Sequence, residues 1–150
     1  RDSRFSSQIT NSNLEESGVL SVVKSVSKQL QQKLYIGKCY INHYQLMTST
    51  GRHTDSALPN TFTILIFCNK YWEEPWGGEL KIYKDKSKTH SIIDYVAGRV
   101  VVFDSRIEHK VMPLTHAAKK DRFTIAVKCS NIEGLQHLIS MYGDEIVDVQ

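Results

Sequence analysis

The sequence predicts a mostly β fold with flanking helices: two facing antiparallel sheets closed as a jelly roll, the double-stranded β-helix, and braced by an N-terminal helix. Three observations predict it. Near the start, Val19, Val22, Val23, Val26, Leu30 and Leu34 recur at three- and four-residue spacing, the period of a helix with one apolar face. After Gly37 the pattern changes to short β-rich runs punctuated by Thr50-Gly51, Pro59-Asn60, Gly77-Gly78 and Ala97-Gly98. Finally, 150 residues with 41% hydrophobic content can bury one core and leave no room for a second domain of ordinary size, so residues 1–150 are expected to form a single domain.

Ser12-Asn13-Leu14-Glu15 fits a capping box, which places the helix at about 13–34, with Gly18 weakening its first turn. Its apolar stripe is expected to brace a sheet, not to bind a partner. Strands are expected at 38–46, 61–68, 79–83, 90–95, 99–103 and 122–129, within a core of about 36–130. Many short strands after a bracing helix suit facing antiparallel sheets closed into a barrel whose mouth holds a ligand. Leu135, Leu138, Ile139 and Tyr142 predict a short C-terminal helix at about 134–143.

A net charge of +3 is mildly basic, and the lysines are scattered instead of striped. Solvated loops account for them better than a nucleic-acid surface does. Cys39, Cys68 and Cys129 are odd in number and sit in apolar runs, so all three read as buried free thiols. That suits a reducing, intracellular setting such as cytoplasm or nucleus. No membrane-spanning run or signal peptide is visible, and a chain opening at Arg1 reads as an excised or processed piece.

The chemistry-bearing residues are fewer. On an extended segment His53 and Asp55 point to the same side and can offer a nitrogen and an oxygen to one metal ion. His109 would complete two histidines and one carboxylate, the set that leaves open positions on non-haem Fe(II), although zinc accepts the same donors. Taken alone, His53 and Asp55 read better as a surface histidine and a turn aspartate. Arg122 changes the balance. In Arg122-Phe123-Thr124-Ile125-Ala126-Val127, alternation puts Arg122, Thr124 and Ala126 on one face and Phe123, Ile125 and Val127 on the other. A guanidinium pointing into a barrel needs a carboxylate, which the far end of a metal-bound dicarboxylate would supply. Thr124 could add a hydroxyl donor to it.

His53-Thr54-Asp55, Trp76-Gly77-Gly78-Glu79-Leu80, Gly98-Arg99-Val100-Val101-Val102-Phe103, His109-Lys110-Val111-Met112-Pro113-Leu114 and Arg122-Phe123-Thr124 stand in the order seen in 2-oxoglutarate and Fe(II)-dependent dioxygenases. Over about residues 36–130 the chain resembles that superfamily, and most of all its prolyl hydroxylase branch. The resemblance implies the double-stranded β-helix, with His53, Asp55 and His109 as iron ligands and Arg122 as the 2-oxoglutarate anchor. It implies Fe(II), 2-oxoglutarate and O2 as cofactor and cosubstrates, with ascorbate as a candidate reductant. The implied reaction is hydroxylation of a prolyl residue in a protein or peptide, releasing succinate and CO2. Tyr44 falls where a tyrosine of the family lines the 2-oxoglutarate pocket. Phe67 falls where oxygen-sensing members place a tyrosine, and phenylalanine cannot donate that hydrogen bond.

His116 lies in the long interval between His109 and Arg122, too close to Arg122 for a separate strand, so His109 is the preferred ligand. His43, His90, His116 and His137 are expected at the surface or in packing. Trp72 and Trp76 read as hairpin packing before substrate rim. Substrate choice is expected to lie in loops 56–60, 69–76 and 115–121. Three other readings stay open: a lysyl or free amino-acid hydroxylase, for which Glu79 and Lys81 would pair the charged groups; a nucleic-acid demethylase, which would want a basic aromatic groove and a further arginine after Arg122; and a non-catalytic metal-binding jelly roll.

Overall fold

The computed structural model describes residues 5–143 and 145–150, so residues 1–4 and 144 of the expected domain lie outside the described part. The chain runs β1 (Phe5–Gln8), a 3-10 turn (Asn11–Asn13), α1 (Val19–Leu30), β2 (Leu34–Tyr44), β3 (Thr61–Phe67), a second 3-10 turn (Glu74–Trp76), β4 (Leu80–Tyr83), β5 (His90–Ile93), β6 (Val100–Asp104), β7 (His109–Val111), β8 (Arg122–Ser130), α2 (Leu135–Tyr142) and β9 (Val147–Val149). The major sheet has the order β1-β2-β8-β3-β6, with β9 also on β2, and the minor sheet is β5-β4-β7. Their pairings are antiparallel, as the alternating runs predict.

The first helix is shorter than its apolar pattern. The expected capping box does not form: Asn11–Asn13 make a 3-10 turn without a side-chain cap, and α1 begins only after Gly18, held left-handed at φ 76°. Gln31, at φ 53°, ends the helix, and Gln32 N–H reaches back to the Ser27 carbonyl in a Schellman closure. Leu34, counted into the helical stripe, is fully buried as the first residue of β2, where it pairs with Val149 of β9. Val19, Val23 and Val26 pack on the sheet while Leu30 stays exposed.

Two apolar clusters result. One lies between α1 and the outer face of the major sheet, with Leu34, Ile36, Cys39, Ile64 and Val127. The other lies between the sheets and includes Tyr44, Phe67, Leu80, Tyr95, Phe103 and Val111. A shift in the β2–β8 register between Ile36 and Lys38 switches which alternate residues of β2 face each cluster. Leu34 and Ile36 face the helix together with Cys39, while Tyr40, Asn42 and Tyr44 turn into the barrel. Gly37 sits at that irregularity beneath α2, where a Cβ would stand 2.7 Å from Leu138 Cγ. Cys39 and Cys129 are buried free thiols as expected, but Cys68 is exposed, because it lies one residue beyond the end of β3.

Candidate active site

His53 and His109 meet through their backbones. Each N–H donates to the other's carbonyl, at 3.0 and 2.9 Å, in an isolated antiparallel bridge. The extended segment expected to carry His53 and Asp55 is thus bridged at a single residue, His53. Pairing stops after one residue, since the amides of Asp55 and Ser56 both turn to the Ser105 carbonyl, at 2.9 and 3.1 Å. The two-residue spacing still delivers both side chains to one place: His53 Nε2 and His109 Nε2 each lie 3.7 Å from Asp55 Oδ1. The three donor atoms fall within 4.8 Å of one another, close enough for one metal ion.

The histidine tautomers follow from their partners. His53 Nδ1 is 2.7 Å from the Gly51 carbonyl and His109 Nδ1 is 3.0 Å from the Ile107 carbonyl. A carbonyl only accepts, so each Nδ1 carries a proton, and in the neutral ring this tautomer leaves the lone pair on Nε2. Burial pushes the His109 imidazole below its ordinary pKa, against the pull of Asp55, which keeps it neutral as a ligand must be. Burial pushes the Asp55 carboxyl up, but Lys128, His109 and a hydrogen bond from Thr63 outweigh it and hold the group below its ordinary value. His53 is 39% exposed along its side chain and His109 only 6%, so the trio opens toward solvent on the His53 side.

Arg122 closes the far end of the same cavity. Its Nε donates to the Gly78 carbonyl at 2.9 Å, while Nη1 and Nη2, both buried, meet no hydrogen-bond partner among the described residues. The guanidinium carbon lies 5.1, 5.5 and 4.8 Å from the ring centres of Tyr44, Phe67 and Tyr95. Burial lowers its pKa to about 10, which still leaves it charged at neutral pH. Two unpaired donors on a buried cation are costly, and a carboxylate taking both is the chemistry that relieves them.

The Gly77-Gly78 pair is explained by this arrangement. Gly78 has φ +78°, and a Cβ there would lie 2.9 Å from Arg122 Cδ; at Gly77 it would lie 2.5 Å from the Pro113 carbonyl. Gly78→Ala is expected to cost about 1–3 kcal/mol of stability, measured by urea unfolding, and to displace the guanidinium. Unfolding unchanged from the parent would show that the loop absorbs the side chain.

The expected residues come together with few exceptions. Thr124 is buried beside Arg122, and Tyr44 lines the cavity. Phe67 is buried and stacks on Tyr95 at 4.5 Å. Tyr95, not foreseen from sequence, sends its hydroxyl to Asn69 and the Phe123 carbonyl and presents its ring to Arg122. Asn42 and Lys128 also face the cavity unforeseen, though the alternation of Arg122, Thr124 and Ala126 extends one step further to Lys128. His116 is exposed and His43 packs on Phe123, as expected. Trp76 is buried and edge-on to Trp72 in the packing role foreseen for both.

Two of the three loops expected to govern substrate choice are tied to each other. Segments 69–76 and 115–121 close over the Arg122 end, through Asn69 to the Asp121 carbonyl and Thr115 to the Pro75 carbonyl. Glu79 and Lys81 flank Leu80, the β4 residue that lines the cavity, and do not line it themselves. Beside the trio lies a groove of about 570 Å³ lined by Thr54, Tyr83, Lys86, Arg106, Ile107 and Glu108, among others.

The family model described as the 2OG-Fe(II) oxygenase superfamily matches residues 39–127, a span that begins in β2 and holds the trio and Arg122. The chain belongs to that superfamily. Fe(II), 2-oxoglutarate and O2 are accordingly its cofactor and cosubstrates, and the paired imidazole lone pairs, the carboxylate and the two orphaned guanidinium nitrogens are donors of the kinds they require. Among solved structures, a Pseudomonas putida prolyl-4-hydroxylase is similar at 18% identity and TM-score 0.67, over 87% of this chain and 72% of that one. A Trichoplax adhaerens prolyl hydroxylase, solved with a peptide fragment of the hypoxia-inducible-factor oxygen degradation domain, is similar at 20% identity and TM-score 0.68, over 95% of this chain and 67% of that one. The α-ketoglutarate-dependent epimerase SnoN of nogalamycin biosynthesis is similar at 10% and 0.61, over 83% and 62%. At these identities the likeness shows the fold, and an epimerase among the neighbours shows that the fold alone does not choose the reaction. No curated protein sequence matches the chain.

Proposed function

We propose that this oxygenase hydroxylates a prolyl residue in a protein or peptide, with His53, Asp55 and His109 as the iron ligands and Arg122 as the anchor for the distal carboxylate of 2-oxoglutarate. The observation that carries the reading is one cavity with three converging metal donors at one end and a buried guanidinium holding two unpaired nitrogens at the other. Thr124 supplies a hydroxyl beside that carboxylate, and Tyr44 and Phe67 wall it in. Bound Fe(II) and 2-oxoglutarate supply the oxidising chemistry: one oxygen atom of O2 enters the substrate C–H bond and the other leaves in succinate, with CO2 released.

The chain's own residues bind, orient and exclude water. The carbonyls of Gly51 and Ile107 fix both imidazoles with Nε2 inward. Leu65, Leu80, Val111 and Ala126 line the space between the trio and Arg122, which keeps the cosubstrate in dry surroundings where its contacts are strongest. The exposed flank at His53 and the neighbouring groove give a polypeptide access. A free amino acid would need its ammonium and carboxylate paired in the cavity, and Glu79 and Lys81, the pair weighed for that task, do not line it.

Incubation of purified protein with Fe(II), 2-oxoglutarate, proline-containing peptides and free amino acids, read by mass spectrometry, tests the proposal. One added oxygen on a peptide proline, matched by succinate, is the expected result. Oxygen gained only on free proline or lysine would remove the peptide reading and leave the oxygenase intact.

A further inference from the structure

Asp55 divides its two oxygens. Oδ1 faces the two histidine nitrogens, while Oδ2 lies 2.5 Å from Lys128 Nζ and accepts the Thr63 hydroxyl at 2.5 Å. Lys128 Nζ also reaches Thr63 Oγ1 at 3.3 Å, so ammonium, hydroxyl and carboxylate form a closed triangle. The ammonium belongs to the inner face of β8, on a residue only 7% exposed, with the Tyr40 ring 5.8 Å away. An ion pair here is not a surface contact screened by water. Its two members stabilise each other in surroundings where either alone would be costly.

A metal ion at the three donors would bring a second positive charge to the same carboxylate, on its other oxygen. We infer that Lys128 is the internal counter-ion and positioning residue of Asp55: it holds the carboxylate with Oδ1 presented to the metal and neutralises it in the metal-free protein, so that metal binds to a preformed site against a resident cation. The inference rests on the proposed ligand set. Arg122 has a different task at the other end of the cavity, since its terminal nitrogens meet no hydrogen-bond partner among the described residues.

The two parts of the role pull metal affinity in opposite directions. Positioning strengthens binding by keeping Oδ1 in place, and charge weakens it by repulsion across a few ångströms in a poorly screened site. Thr63 remains to orient Asp55 when Lys128 is removed, so the charge effect governs. A side chain with a merely structural role would leave a variant that is less stable with and without metal, and that binds metal no better.

The test compares wild type, Lys128→Met and Lys128→Arg, each stripped with chelator and then titrated with Mn(II), reading thermal unfolding and calorimetric affinity. Lys128→Met is expected to melt at least ~5 °C below wild type when stripped. Mn(II) should raise its melting temperature by at least ~5 °C more than that of wild type and bind roughly 3- to 10-fold tighter. Lys128→Arg, which keeps the charge, should follow wild type in both. Weaker Mn(II) binding by Lys128→Met, or a stability deficit that metal does not shrink, would overturn the counter-ion role. Should Lys128→Met not fold when stripped, Asp55→Asn is compared with Asp55→Asn/Lys128→Met: the double variant should melt higher because it lacks a lone buried cation, and equal or lower melting overturns the inference. Failure of wild type itself to bind Mn(II) would instead count against the ligand set.

Discussion

Arg122→Ala is expected to weaken 2-oxoglutarate binding by about 2–4 kcal/mol, the usual scale for truncating one partner of a buried charge pair, which is roughly a 30- to 1,000-fold rise in dissociation constant. The effect should be confined to the cosubstrate. Arg122 sits at the opposite end of the cavity from the trio and touches the Gly78 carbonyl and three aromatic rings instead of a metal donor, so Mn(II) affinity should stay within about threefold of the parent. Arg122→Lys is the finer probe, because one ammonium cannot reproduce two parallel N–H donors. It should fall between alanine and the parent. Calorimetric titration of the metal-loaded variants with 2-oxoglutarate reads all three, and unchanged affinity in the alanine variant would remove Arg122 from the anchor role.

The second large effect belongs to the histidines. His109→Ala should lower Fe(II)-dependent succinate formation by more than about 100-fold, beyond what the loss of a partner that only orients a ligand costs. His53→Ala should do the same. His116→Ala serves as the internal control, since this exposed side chain lies outside the cavity and its loss should leave turnover unchanged. Succinate formed at the parental rate by either ligand variant would exclude that residue from the site, and a damaged His116 variant would reopen the choice between His109 and His116.

Much of this was legible before any coordinates because the chemistry rests on alternation and order. Period two in β8 puts Arg122 and Thr124 inside, and the His53–Asp55 interval delivers both side chains to one point even though no strand forms there. What was illegible depended on contacts between distant segments. Leu34 fits a helical stripe as well as a strand, and only its pairing with Val149 decides. Tyr95 reaches Arg122 from beyond β5, so no spacing near the motif announces it. The change of face within β2 comes from an irregularity at Gly37 that periodicity alone cannot place. The loops are a related case: length showed that 69–76 and 115–121 are loops, but no spacing announces the hydrogen bonds that tie Asn69 to the Asp121 carbonyl and Thr115 to the Pro75 carbonyl.

Lys128 is a different case. The alternation that places Arg122 inside places Lys128 inside too, but a lysine near a strand end reads as solvated unless its partner is known. Asp55, the partner, is remote in sequence and meets it only because both side chains line the same cavity.

The central claim, that one cavity holds metal at His53, Asp55 and His109 and a dicarboxylate against Arg122, is tested most directly by a crystal structure with Mn(II) and an unreactive 2-oxoglutarate analogue, with the metal located by anomalous scattering. The account predicts one strong anomalous peak about 2.0–2.3 Å from His53 Nε2, Asp55 Oδ1 and His109 Nε2, with the distal carboxylate on Arg122 Nη1 and Nη2. A peak held by other residues, or an analogue bound away from Arg122, would contradict it.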